Sequence, residues 1–221
     1  MTGPAARPSY TIRRVDAVFR PGDPAAPWPA VPPLAVGHYL WLSNDYRPAV
    51  EARLFWSPRF LHVRFRVEEK RVRVRFTKFQ DPVWKDSCVE FFIDAFPEMK
   101  KGYVNFETNA AGTLLAAFGP DRSHRTPLWP EDLAEFEALS SIPGPVDGEY
   151  GADAWTLEYI VPLSLFGKLY GQEIRPGHRA AANFYKCGDD TEMPHYGAWS
   201  PVGTAAPDFH RPEYFGEVVF G

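Results

Sequence analysis

Cysteine is nearly absent from this chain: Cys88 and Cys187 are the two among 221 residues. That is too few for a disulfide scaffold, and their spacing lacks the CxxC pairs of a structural zinc site. Two small buried residues in adjacent strands is the plain expectation for them. Long hydrophobic runs are also missing. No stretch approaches the roughly 20 apolar residues that cross a bilayer, so no membrane partner is expected. The opening residues Met1-Thr2-Gly3-Pro4-Ala5-Ala6-Arg7-Pro8 lack the apolar core of a signal peptide. A cytoplasmic protein is the expectation, with secretion as the alternative. There is no basic surplus, since the net charge is −4, and nucleic-acid binding therefore lacks electrostatic support. A local basic run (Arg71, Arg73, Arg75, Lys78) alternates with Val72, Val74 and Phe76, as a strand with one solvated face does. No G-x-S-x-G, P-loop or dinucleotide fingerprint occurs.

Helical periodicity is scarce too. Residues 162–166 and 130–136 are single-turn candidates, the first with proline at its start. What fills the chain is period two. The spacing predicts strands over 10–18, 38–42, 50–56, 60–67, 88–94, 136–142, 155–161, 179–187 and 214–220. A hairpin is expected from 102–109 to 113–118 across Ala110-Ala111-Gly112. Trp41, Trp56, Trp155 and Trp199 fall inside strand patterns and read as core. Many short strands separated by turn residues predict an all-β sandwich of jelly-roll type with one or two short helical turns. Residues 1–34 supply a first strand and a Pro-rich lead-in to the same fold, and 35–221 the rest. No repeat or linker divides them.

Two clusters carry the functional signal. One is Trp84-Lys85-Asp86-Ser87-Cys88-Val89-Glu90. The other runs from Asn183 to Asp190, through Trp199-Ser200-Pro201, to Phe209-His210-Arg211-Pro212. Each joins a loop aromatic to a strand with acid or amide side chains. A sugar ring has an apolar C–H face and a rim of hydroxyls, so an aromatic plate beside hydrogen-bonding groups suits it. Asn105, Glu107 and Asn109 alternate on one strand face and resemble a hydroxyl-reading surface, with an ordinary solvent face as the alternative. Asn183, Tyr185 and Cys187 share a face in the same way.

These motifs, with Trp155 to Pro162 and the closing Phe209-x-x-Pro212-x-x-Phe215-Gly216, resemble carbohydrate-binding module family 9. More narrowly they resemble its stand-alone branch, within the DOMON-like β-sandwiches. The resemblance spans roughly residues 35–221. It implies two aromatics clamping a sugar, at Trp84 and at Phe209, where the family usually has Trp. It implies an acidic hydroxyl acceptor at Glu90. The family's arginine on the next strand falls at Glu107, a charge reversal, while Asn109 is kept and a late polar residue falls near Tyr185. His210, beside Phe209, completes the expected ligand set. The implied partner is a mono- or oligosaccharide. No cofactor is required, although similar modules hold structural calcium. The run Asp189, Asp190 and Glu192 offers oxygen ligands for calcium, or simply a polar turn.

Three alternatives stay open. One is an enzyme using Glu90, Glu107, His195 or His210 as acid and base. One is a haem-binding sandwich with Met193, His195 or His210 as axial ligands. One is a module whose aromatic face grips a protein. Sequence sets neither the sugar nor the oligomeric state.

Overall fold

In the computed structural model, which describes residues 7–221, two curled sheets face each other as a β-sandwich. The first sheet runs in the order Thr126–Pro127, Leu114–Gly119, Tyr103–Asn109, Cys88–Asp94, Arg179–Cys187, Gly216–Phe220 and Ser9–Arg14. The second continues from Ser9–Arg14 through Ala49–Trp56, Phe60–Glu68 and Trp155–Pro162 to Glu137–Ser140. Ser9–Arg14 therefore belongs to both. Its first part pairs in parallel with Gly216–Phe220, and Arg13 and Arg14 pair in parallel with Phe55 and Trp56.

The alternation that predicts strands also dictates the core. Leu61, Val63, Phe65 and Val67 point inward from one sheet, and Val89, Phe91, Ile93, Val104, Phe106 and Phe184 meet them from the other. Phe91 stacks on Phe184 at 4.9 Å between ring centroids. Strand ends differ from expectation by a few residues. The first strand stops at Arg14, the last begins at Gly216, and Pro212–Tyr214 is a 3-10 turn. Around residue 38 only His38–Tyr39 is strand. The 136–142 pattern shortens to Glu137–Ser140. The 130–136 segment forms turns, whereas 162–166 opens a full helix, Leu163–Tyr170. Gly171 ends that helix in the left-handed conformation (φ 75°), which costs glycine nothing. The basic run is a strand, Arg71–Val74, paired with Val146–Glu149, which the sequence pattern did not reveal.

The outer face of the first sheet is not solvated. Cys88, Phe92, Tyr103, Tyr185 and Cys187 form a second apolar layer with Val83, Val202, Phe209 and Phe215 from the overlying loops. The Pro-rich lead-in covers the second sheet in a smaller way, with Trp28 packed on Phe55 at 4.7 Å.

Candidate functional site

A pocket opens where the loops cross that second layer. It is lined by Trp84, Glu90, Glu107, Arg122, Arg125, Cys187, Asp189, Tyr196, Pro207, Asp208, Phe209 and His210, and holds about 580 Å³ including its mouth.

Trp84 sits half-buried on the 3-10 turn Val83–Lys85. Its neighbours hold the turn. Buried Asp86 accepts the backbone N–H groups of Arg75 (3.0 Å) and Phe76 (2.9 Å) and the amide of Asn109 (3.0 Å) on one oxygen. Ser87 Oγ accepts Arg73 N–H at 3.1 Å. Trp84 and Lys85 carbonyls accept the N–H groups of Asp189 and Asp190, zipping the two loops together. Asp86 and Ser87 therefore aim the tryptophan rather than touch a ligand.

Glu90 and Glu107 lie directly opposite each other on adjacent antiparallel strands, both 3% exposed. Glu107 is bound to the Asn105 amide (3.1 Å) and faces the Arg125 guanidinium (3.5 Å) and His210 Nε2 (3.8 Å). Burial pushes its carboxyl up to about 7 against the opposing pull of Arg125 and Arg122. Glu90 has no cation within ion-pair distance among the described residues. Burial and the Glu107 charge raise it well above the carboxylate range. Of the two, Glu90 is the one that keeps its proton near neutrality. Burial, with Arg125 and Arg122, lowers His210 to about 2, so its ring is neutral. Its Nδ1 pairs with the Tyr103 hydroxyl at 2.8 Å.

This electrostatics predicts a pH dependence of stability. A buried acid whose folded pKa is raised binds its proton more tightly folded than unfolded. Stability then falls as pH rises from the unfolded value toward the folded one. The buried histidines act oppositely, but only below their ordinary value of 6.5. From about pH 6.5 to 8, then, urea unfolding should show declining stability. Glu90→Gln should flatten that slope; an unchanged slope would mean that the pair is not the source.

The aromatic lining at Phe209 has depth. Phe209, 8% exposed, stacks on Tyr185 at 4.1 Å and 12°, and Tyr185 donates its hydroxyl to the Phe209 carbonyl at 3.1 Å. Trp41 backs Phe209 at 5.9 Å. It is not in a strand as its pattern suggested. It adopts a left-handed backbone (φ 52°), and its indole N–H reaches the Thr204 carbonyl at 2.6 Å. Trp56, Trp155 and Trp199 are core as expected. Gly216 is fixed by close approach, since a Cβ there would lie 2.7 Å from the Pro8 carbonyl oxygen.

Of the seven residues named from sequence, five line the pocket: Trp84, Glu90, Glu107, Phe209 and His210. Tyr185 lies beneath Phe209, fully buried. Asn109 spends its amide on Phe76 and Asp86 and its oxygen on the N–H groups of Ala111 and Thr113. Asn183 is likewise engaged with Ser200 and Phe184. The lining residues that sequence reading did not supply are Arg122, Arg125, Tyr196, Pro207 and Asp208. Both arginines lie in an irregular loop where no periodicity flags them. Asp189 reaches the pocket rim, whereas Asp190 faces Arg73 (3.8 Å) and Lys85 (3.7 Å), and Glu192 pairs with Arg71. Among the described residues these three carboxylates do not converge on one point. His195 is elsewhere, sealed against Lys186 at 2.8 Å, so the histidines considered for haem serve different neighbourhoods.

Comparison with known proteins settles the family. The sequence profile of carbohydrate-binding family 9 matches residues 30–220. The chain belongs to carbohydrate-binding family 9. A Bacteroides uniformis structure described as a candidate carbohydrate-binding protein shares 30% identity. It covers 98% of this chain and 100% of its own, with a TM-score of 0.86. A family 9 module from Caldicellulosiruptor kristjanssonii, solved with glucose, is similar at 14% identity and TM-score 0.66, covering 97% and 96% of the two chains. The module from that organism solved with cellotriose gives 13% identity and TM-score 0.65 over 96% and 93%. At that identity the likeness shows the fold. No curated protein matches the chain.

Proposed function

We propose that this family 9 protein binds carbohydrate without covalent chemistry, one sugar ring lying in the Trp84 pocket. The observation that carries the reading is the meeting of an aromatic plate and two buried, facing carboxyl groups in one small pocket. Trp84 stacks on the apolar face of the ring. Phe209 forms the opposite wall, made rigid by Tyr185 and Trp41 behind it. Protonated Glu90 can donate to one hydroxyl and accept from another, while Glu107, already held by Asn105 and Arg125, accepts. Asn109 and Tyr185 act through the residues they support. Asp208 and Arg122, paired at 2.9 Å, form a charged rim.

No cofactor enters this reading. A structural calcium would need oxygen ligands outside the 189–192 run, since Asp190 and Glu192 are already paired with basic side chains.

Glucose and cellotriose, the sugars bound by the Caldicellulosiruptor modules, define the test. Calorimetry against glucose, cellobiose, cellotriose, xylose and xylobiose should find saturable binding to at least one. Kd should fall between about 1 μM and 1 mM, or roughly 4–8 kcal/mol. Absence of heat with all five at millimolar sugar would overturn the reading.

A further inference from the structure

At the pocket floor and just beneath it stand two side chains that sugar recognition leaves unused. Cys88 and Cys187 lie directly opposite each other on adjacent antiparallel strands. Glu90 stands two residues along from Cys88 on the same face. One sulfur from each cysteine and one Glu90 oxygen lie within 4.8 Å of one another. Cys187 Sγ is 3.1 Å from Glu90 Oε1. Both thiols are free and buried. Cys187 and Glu90 also line the pocket, which gives an ion a way in.

Glu90 is a buried carboxyl group that lines the pocket, and its hydrogen-bond partner among the described residues is a thiol, a weak donor. Glu107 opposite it is committed to Asn105 and Arg125. Buried carboxylates are normally paired or bound to metal. No basic side chain lies within ion-pair distance of Glu90 among the described residues, and two soft sulfur atoms stand beside it.

We propose that Cys88, Glu90 and Cys187 form a binding site for one soft divalent cation of the zinc class. Two thiolates select zinc, cobalt(II) or cadmium over calcium and magnesium. Ligand distances of about 2.3 Å for sulfur and 2.0–2.2 Å for oxygen put tetrahedral ligand atoms roughly 3.3–3.8 Å apart. Small side-chain rotations take the present cluster there. The fourth position opens to the pocket, as in zinc sites that keep a water or an exchangeable ligand. Binding replaces the two thiol protons and any Glu90 proton by the ion, with no change of oxidation state. Arg122 and Arg125 at the pocket wall offset the remaining negative charge of a dication held by three anionic ligands. The site does not depend on the carbohydrate reading, although the two share Glu90.

The test is a titration of the reduced full-length chain with cobalt(II) alone, followed by ultraviolet and visible absorption. Sulfur-to-cobalt charge-transfer bands should grow to saturation at one ion per chain. One equivalent of zinc should bleach them and calcium should not. Cys187→Ser and Cys88→Ser should each weaken zinc binding by at least tenfold, and Glu90→Gln should weaken it while the sulfur bands persist. No charge-transfer band with the native chain would overturn the proposal, as would unchanged zinc affinity in Cys187→Ser. The cobalt spectrum is read on the native chain and needs no variant. Sugar binding measured without metal is a separate result. Its failure would leave the cobalt spectrum as it is.

Discussion

Trp84→Ala should abolish measurable sugar binding while the protein stays folded. The turn that carries the indole does not depend on it. Val83 is buried beneath, Asp86 and Ser87 hold the surrounding backbone, and the two loops are joined through the carbonyls of Trp84 and Lys85. None of those bonds involves the indole ring. Removing it exposes the sugar's apolar face to water and takes away a stacking surface, which together are worth at least about 1.4 kcal/mol, or tenfold in Kd. For a ligand bound in the high micromolar range, that loss moves binding out of reach of calorimetry. Phe209→Ala is a poorer probe, because Phe209 is packed between Tyr185 and Trp41 and its removal leaves a cavity in the second apolar layer. Affinity within twofold of the native value in a folded Trp84→Ala protein would place the sugar elsewhere.

Lys186→Ala should cost the most stability of any single change considered, about 3–5 kcal/mol. The Lys186 ammonium is fully buried (0% exposed) and bonds Glu69 at 3.2 Å, His195 Nε2 at 2.8 Å and the Cys187 carbonyl at 2.9 Å. Glu69 also accepts the Trp155 indole N–H at 3.1 Å. Burial, then the lysine charge, lowers His195 to about 2, so a neutral ring accepts from Lys186 and donates from Nδ1 to the Met193 carbonyl at 2.7 Å. Truncating the lysine leaves the Glu69 carboxylate buried without a counter-charge, and the melting temperature should drop by roughly 6–20 °C. Lys186→Met combined with Glu69→Gln should recover most of the loss, because the penalty lies in the uncompensated charge rather than in a missing contact. A single-variant loss below about 1 kcal/mol in urea titration would mean that water reaches the pair.

How far the sequence foretold the protein depends on what lies over each strand. Where one face meets the core and the other meets water, as along residues 64–68, alternation is clean and the strand is readable. The outer face of the first sheet breaks that rule. Loops cover it, so Phe92, Tyr103 and Tyr185 are as buried as the residues pointing inward. Polar residues on that face therefore sort by what roofs them. Glu90 and Glu107 lie under the pocket, Asn109 under the Trp84 turn and Asn183 under Ser200. Period two cannot separate these fates. The motif around Trp84 was readable because turn, strand and carboxyl are contiguous in sequence. Arg122 and Arg125 were not, since an irregular loop brings them in. The Lys186–Glu69 pair was also hidden, because a lysine in an alternating strand reads as a solvent-facing charge.

Ser9–Arg14 carries a further consequence, in the order of folding. It is the first described strand in the chain, yet four of its residues pair with Gly216–Phe220, the last strand. Contacts so distant along the sequence are costly to close and form late. During synthesis the two sheets can each collapse on their own hairpins. The seam between them cannot be sewn until the final strand emerges. Until then, the Ser9–Arg14 and Arg179–Cys187 strands each lack a neighbour that the finished sandwich gives them, and such open edges are where a half-made β-protein pairs with the wrong chain.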